Sequence, residues 1–187
     1  MESKIKACIF ISGKGSNLKS IIKSSKKHNF PIKVELVISN KKKAKGLLIA
    51  KKYNITNKFF SSKNKKKFEN NCLIEIKKRK IKFICLAGFM KLLSKNFIKN
   101  FRYKIINIHP SLLPKYKGLN THKRALKNDE KYSGCTVHYV SNKLDSGKVI
   151  LQKKVKIKKN ETVKSLKNKI LLVEHKLYPK AISSIFK

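Results

Sequence analysis

Asn107-Ile108-His109-Pro110-Ser111-Leu112-Leu113-Pro114 is the stretch that decides how this chain is read. Ile105, Ile106 and Ile108 close a hydrophobic strand, and the two prolines stop it, because each fixes φ and lacks a backbone donor. Asn107 and His109 stand two residues apart, so a strand presents both on one face. They arrive at its tip, where an open parallel sheet places its ligands. Spacing alone leaves two readings open: a polar pair that serves structure, or the beginning of a site.

Upstream of this stretch the pattern is strand and helix in alternation. Lys6 to Ser12 is an apolar run of the kind buried in a parallel sheet. It breaks at Ser12-Gly13-Lys14-Gly15-Ser16-Asn17, after which Leu18, Ile21 and Ile22 recur at helical spacing. A glycine-rich turn opening a helix aims backbone N–H groups at an anion. The loop is neither G-x-G-x-x-G nor G-x-x-x-x-G-K-[ST], so it suits a single phosphate rather than a dinucleotide or ATP. The plainer alternative is a tight turn with Ser16 or Asn17 capping the helix. Strands are expected at 34–39, 57–60 and 82–87. Helices are expected at 44–53 (Leu47, Leu48, Ala50), at 65–78 (Phe68, Cys72, Ile74, Ile76), and from a Ser94 cap through Phe101.

Downstream, Thr121 to Asn128 reads as a short helix. Ser133 to Val140 alternates, and Val149 to Ile157 reads as its antiparallel partner across Lys143-Leu144-Asp145-Ser146-Gly147. Asn160 or Thr162 opens a last helix whose buried face carries Val163, Leu166, Ile170, Val173, Leu177 and Ile182. Repeats and flexible linkers are absent from the pattern. The economical architecture is one α/β domain over residues 1–187, with a parallel half built from βα units and an antiparallel extension.

A chain of 187 residues with 41% hydrophobic content can bury a core despite 30% charged residues. It contains no apolar run long enough for a membrane span. Met1 to Ile5 lacks the features of a signal peptide, so the cytoplasm is the expected location. Cys8, Cys72, Cys85 and Cys135 form no C-x-x-C pair, which argues against zinc or a disulfide framework. The net charge of +39 invites a nucleic-acid reading, but all but three of the 48 basic residues are lysines spread over every polar face. With Asn and Ile also abundant, that spread fits a bias toward A and T codons. Nucleic acid is therefore not the expected partner, and the field's milder effect is to attract a phosphorylated substrate.

Three polar groups stand at strand ends: Asn107, His109 and Asp145. If the strand at 133–140 lies beside the one ending in His109, the Asp145 carboxylate reaches the imidazole. A carboxylate orients an imidazole and favours its charged form. An imidazolium beside an amide donor suits an oxygen that becomes negative during acyl transfer. No Ser or Cys sits in a nucleophile elbow, so the attacking group belongs to a substrate. The competing reading of Asp145 is a turn residue before Ser-Gly.

Six segments, in order, carry a resemblance: 11–18, 86–93, 107–114, Cys135-Thr136-Val137-His138, Leu144-Asp145-Ser146-Gly147 and Glu174-His175-Lys176-Leu177-Tyr178-Pro179. Together the chain resembles the folate-dependent phosphoribosylglycinamide formyltransferases of purine biosynthesis. The resemblance implies a Rossmann-like, mostly parallel open sheet with an antiparallel extension. It implies formyl transfer from 10-formyltetrahydrofolate to the amine of 5′-phosphoribosylglycinamide, with no metal, by a monomer or weak homodimer. Asn107, His109 and Asp145 would be the catalytic trio. Gly15, Ser16 and Asn17 would hold the phosphate, and Glu174 the ribose or glycinamide part. Lys65, Met90, Lys91, Leu92, Leu93, Asn107 and the loop Ser141, Asn142, Lys143, Leu144 and Asp145 would line the folate site.

The chain departs from the family at Lys14 (commonly Asn), Lys91 (usually Arg), Lys117 (commonly Pro) and Lys65, where an arginine is usual. The resemblance also implies that a tail following the last helix in many relatives is missing, with more effect on stability than on chemistry. Among the other histidines, His28 reads as a surface residue, His122 as a cap or a substrate contact, and His138 as bordering the site. His175 shares a helix with Glu174, where neighbours face different ways.

Overall fold

The computed structural model describes residues 4–186. The expectations placed on Met1 and on the chain end at Lys187 lie outside that range. Seven strands form one sheet in the order β3-β2-β1-β4-β5-β6-β7, where β1 is Ile5–Ile11, β2 Ile32–Ser39, β3 Thr56–Phe59, β4 Phe83–Leu86, β5 Lys104–His109, β6 Tyr132–Tyr139 and β7 Val149–Lys156. The first five run parallel, while β6 and β7 are antiparallel to their neighbours. This is the Rossmann-like sheet with an antiparallel extension. Strand order reverses between β1 and β4, the switch point where such sheets bind ligands.

Period-two alternation sorts the central strands between two cores. Ala7, Ile9 and Ile11 of β1 face one hydrophobic cluster, and Cys8 and Phe10 face the other. The first cluster is completed by helices α1 (Ser16–Ser25), α2 (Lys45–Lys52) and α6 (Val163–Ile185). The second is completed by α3 (Lys65–Lys78) and α4 (Lys95–Phe101), with Phe10 packed edge-on against Phe89 at 5.3 Å and Phe97 at 6.0 Å. The short α5 (Thr121–Lys127) follows the proline loop. In β5, Ile106 and Ile108 enter the first core. Asn107 and His109 therefore point to the other side of the sheet, at its C-terminal edge.

The helices differ from expectation where one residue falls off a stripe. Phe68, Cys72 and Ile76 of α3 repeat every four residues and are buried, while Ile74, two positions from Cys72, is 63% exposed. Leu48 of α2 is exposed for the same reason, two positions from the buried Ala50. On α6, Val163 is exposed and Val173 only half-buried, whereas Leu166, Ile170, Leu177 and Ile182 are buried. Thr162 caps α6 by accepting from the Ser165 N–H, and Ser94 caps α4 by accepting from the Phe97 N–H.

At the start of α1 neither Ser16 nor Asn17 is the cap. The cap position is Gly15 at φ 77°, and no side chain bonds the helix end. A β-carbon on Gly15 would lie 2.6 Å from the Gly46 α-carbon, so this turn packs against the start of α2 only because it is glycine. The β6–β7 connection has a similar requirement at Gly147, where a β-carbon would lie 1.7 Å from the Tyr139 carbonyl oxygen. That tight return brings the 140–148 loop, and Asp145 with it, back over the sheet edge. Among the described residues no helix is long and apolar enough to cross a membrane.

Candidate active site

β5 and β6 pair so that Asn107 lies opposite His138 and His109 opposite Thr136. Asp145 follows in the β6–β7 connection with φ 44°, a left-handed conformation that Asp tolerates better than most residues. Its Oδ2 lies 3.3 Å from His109 Nδ1 and accepts the Gly118 N–H at 2.9 Å. Its Oδ1 lies 3.7 Å from His138 Nε2. Asn107 Nδ2 is 3.3 Å from His138 Nε2. The trio read from the sequence is thus brought together, with His138 as a fourth member.

His109 is 5% exposed, and both ring nitrogens face oxygen acceptors: Asp145 on one side and the Tyr116 carbonyl, 2.9 Å from Nε2, on the other. A ring carrying a proton on each nitrogen suits both neighbours. The Tyr116 carbonyl was invisible in the sequence, because a backbone acceptor has no residue-type signature. It belongs to a strap at 115–120 in which Tyr116, Gly118 and Asn120 all take positive φ. Ser111 Oγ donates to the Lys115 carbonyl at 2.7 Å, Tyr116 OH donates to Glu130 at 2.8 Å, and Arg124 donates to the Lys117 carbonyl at 2.7 Å. Strained backbone held by several bonds beside a polar cluster is a common mark of a working site.

The cluster opens into a cavity of about 540 Å³, within the range of small-molecule sites. Leu86, Phe89, Leu92, Leu93 and Val140 give it apolar walls, and Asn107, His109, His138 and Asp145 supply convergent polar groups. Of the other residues placed in the folate group from the sequence, Met90, Lys91, Ser141, Lys143 and Leu144 also line it; Asn142 and Lys65 do not. Lys65 instead borders an adjoining cavity of about 110 Å³, with Ser62 and Glu69, that shares Phe89, Lys91, Leu92 and Leu93 with the main one. The buried Glu69 carboxylate accepts the Ser94 N–H at 2.7 Å and its hydroxyl at 2.5 Å, which pins the end of the 88–94 segment. His122 and Val163 line the cavity as well, so an apolar position expected in the core of α6 contributes to the site.

Gly15, Ser16, Asn17 and Glu174 form a second group that does not line this cavity. Asn17 Nδ2 donates to Glu174 Oε2 at 2.7 Å, joining the start of α1 to the middle of α6. Both side chains are buried, and Asn17 Oδ1 is a buried acceptor without a protein partner. Ser12, directly after β1, links the residue following β2 to the cavity wall. Its hydroxyl donates to Asn40 Oδ1 at 2.6 Å and accepts the Met90 N–H at 2.8 Å.

Burial lifts the Glu174 carboxyl from 4.5 to about 7, against the opposing pull of the Asn17 bond. A carboxyl whose folded value is raised stabilises the fold fully below its unfolded value, and that contribution is lost as pH rises through about 7. A move of this size corresponds to roughly 3 kcal/mol. Glu174→Gln keeps an acceptor for Asn17 and removes the charge. The variant should gain up to about 3 kcal/mol over wild type at pH 8 and little at pH 5. Urea denaturation at the two pH values measures this; an equal change at both would assign the effect to packing.

The chain that builds this sheet and cavity belongs to the formyl transferase family, whose profile it matches over residues 5–182. It is 39% identical over 183 residues to the phosphoribosylglycinamide formyltransferase of Haemophilus influenzae, covering 95% of this chain and 85% of that one. The crystal structure of phosphoribosylglycinamide formyltransferase from Brucella melitensis superposes with a TM-score of 0.93 at 38% identity, covering 98% of this chain and 96% of that one. The chain is also 37% identical over 187 residues to the human trifunctional purine biosynthetic protein adenosine-3, covering 98% of this chain but only 18% of that protein's length. Among the described residues no group of His, Cys, Asp and Glu is arranged to hold a metal ion, and all four cysteines are buried free thiols.

Proposed function

We propose that the chain transfers the formyl group of 10-formyltetrahydrofolate to the amine of 5′-phosphoribosylglycinamide, a step of purine (IMP) biosynthesis. One observation carries the reading: Asp145 and His109, 36 positions apart in sequence, meet at 3.3 Å beside Asn107 on the wall of a cavity of about 540 Å³. The amine attacks the formyl carbon directly, forming a C–N bond and a tetrahedral oxyanion. The bond from that carbon to the folate N10 then breaks, and the proton lost by the amine ends on N10. Asn107 has an amide hydrogen free for the oxyanion, and His109 contributes positive charge. Direct donation by His109 Nε2 requires the Tyr116 carbonyl to give way.

The apolar walls of the cavity fit a flat ring system, with Met90 to Leu93 and the 141–145 loop around it and Lys65 near the acidic tail. Gly15, Ser16 and Asn17 offer first-turn N–H groups of an uncapped helix to the phosphate, and Glu174 meets the ribose or glycinamide part. We read residues 1–187 as a single formyltransferase domain, a monomer or weak homodimer, acting in the cytoplasm without nucleic acid as a partner. The test is to mix the folded protein with both substrates and follow tetrahydrofolate spectroscopically. Stoichiometric formation is expected, and no turnover would overturn the assignment.

A further inference from the structure

We infer that His138, held as a neutral imidazole, is a positioning residue that turns the Asn107 carboxamide so that its nitrogen faces the reaction, and that it loses this hold on taking up a proton. The inference rests on the transfer reaction proposed above. Its starting point is a choice that chemistry makes between two ring nitrogens. His138 Nδ1 lies 2.8 Å from the Tyr139 carbonyl, which can only accept, so Nδ1 carries the proton. In the neutral ring Nε2 is then an acceptor, and the group 3.3 Å away must be the donating nitrogen of Asn107, not its oxygen. One amide hydrogen is committed to His138, and the other is left for the cavity that Asn107 lines.

A proton on Nε2 would reverse this arrangement. The ring would present a donor to a donor, and the favourable response is a carboxamide flip that offers Oδ1 to His138 and takes the NH₂ group away from the reacting centre. The same proton would draw on Asp145 Oδ1, 3.7 Å away, and so compete with His109 for the carboxylate. The ring is 2% exposed. Burial pushes its affinity for a proton down; the Tyr139 carbonyl and Asp145 oppose this, and the charge of His109 adds to it. Those are the titratable and charged groups that face it. The balance keeps the acceptor form in place at neutral pH and makes its loss an acid event.

The experiment has a structural arm and a kinetic arm. In wild-type protein labelled with ¹⁵N-histidine, the His138 signals at pH 7.5 should be those of a neutral ring protonated on Nδ1. A charged ring, or a proton on Nε2, overturns the inference whether or not the enzyme turns over. In the kinetic arm, His138→Gln keeps an acceptor that does not titrate. It should retain kcat at pH 8 within about threefold and lose part of the fall in kcat toward pH 5.5. His138→Met, which has no comparable acceptor, should lower kcat roughly tenfold across the range with the KM for the ribonucleotide unchanged. A Gln variant with the wild-type acid profile, or a Met variant with full kcat, overturns it. Absence of turnover with the expected tautomer would count against the proposed reaction and leave the orientation of Asn107 standing.

Discussion

Asp145→Asn should lower kcat by roughly three orders of magnitude while leaving the melting temperature close to that of wild type. The expectation of intact folding comes from the contacts. Oδ2 both accepts the Gly118 N–H at 2.9 Å and faces His109 Nδ1 at 3.3 Å. An asparagine can place its oxygen there, and its NH₂ group then faces His138 Nε2, 3.7 Å from Oδ1, whose one lone pair already accepts from Asn107. The two contacts made by Oδ2 are kept, and the main loss is the charge. The side chain is 9% exposed, so its charge acts on the histidine with little screening from water. The loss of support for a positive His109 is felt once the oxygen facing it turns negative, not at rest. It therefore falls on kcat rather than on either KM. Steady-state kinetics with each substrate varied, set beside thermal melts, separates the two effects. A loss of less than tenfold in kcat would remove Asp145 from the mechanism.

Much of the scaffold behind this cluster was readable from residue order. The apolar run in β1 stands out because it is continuous and stops at a glycine-rich turn, whereas the 65–78 helix was legible from Phe68, Cys72 and Ile76 although Ile74 falls off their stripe. Asn107 and His109 were assigned to one face by period alone, and the two cores confirm which face it is. The reach of Asp145 depended on β6 lying next to β5, a neighbour relation that an alternating strand does not reveal. Register was less accessible still: nothing local in Cys135-Thr136-Val137-His138 says that His138 stands across from Asn107. The Tyr116 carbonyl and the Gly118 N–H were out of reach for a different reason, since backbone groups carry no residue identity. The alternative in which Ser16 or Asn17 caps α1 does not hold, although both are good capping residues by type. The close approach of Gly46 puts the cap one residue earlier, and Asn17 is drawn to Glu174 instead.

Gly15→Ala follows from that last contact, and its effect should separate the two halves of the site. Gly15 is at φ 77° and ψ 25°, where an added β-carbon costs about 1 kcal/mol in backbone energy alone. The new carbon would also lie 2.6 Å from the Gly46 α-carbon and 3.2 Å from Ile49 Cδ1. A side-chain methyl can move aside, but the Gly46 backbone is tied to the loop by its N–H, which donates to the Gly13 carbonyl at 3.0 Å. The start of α1 must therefore shift away from α2, and its first-turn N–H groups shift with it. Losing two charge-assisted hydrogen bonds to a phosphate, at about 1.5 kcal/mol each, corresponds to roughly a 100-fold rise in the KM for the ribonucleotide. The cavity beside His109, proposed for the formyl donor, is lined by other residues, so the KM for that donor should stay within about threefold of wild type. Titration of each substrate separately by calorimetry distinguishes this from general destabilisation, which would weaken both. An unchanged ribonucleotide affinity in a folded Gly15→Ala protein would move the phosphate away from the end of α1, leaving the trio at the sheet edge to be served by a different anchor.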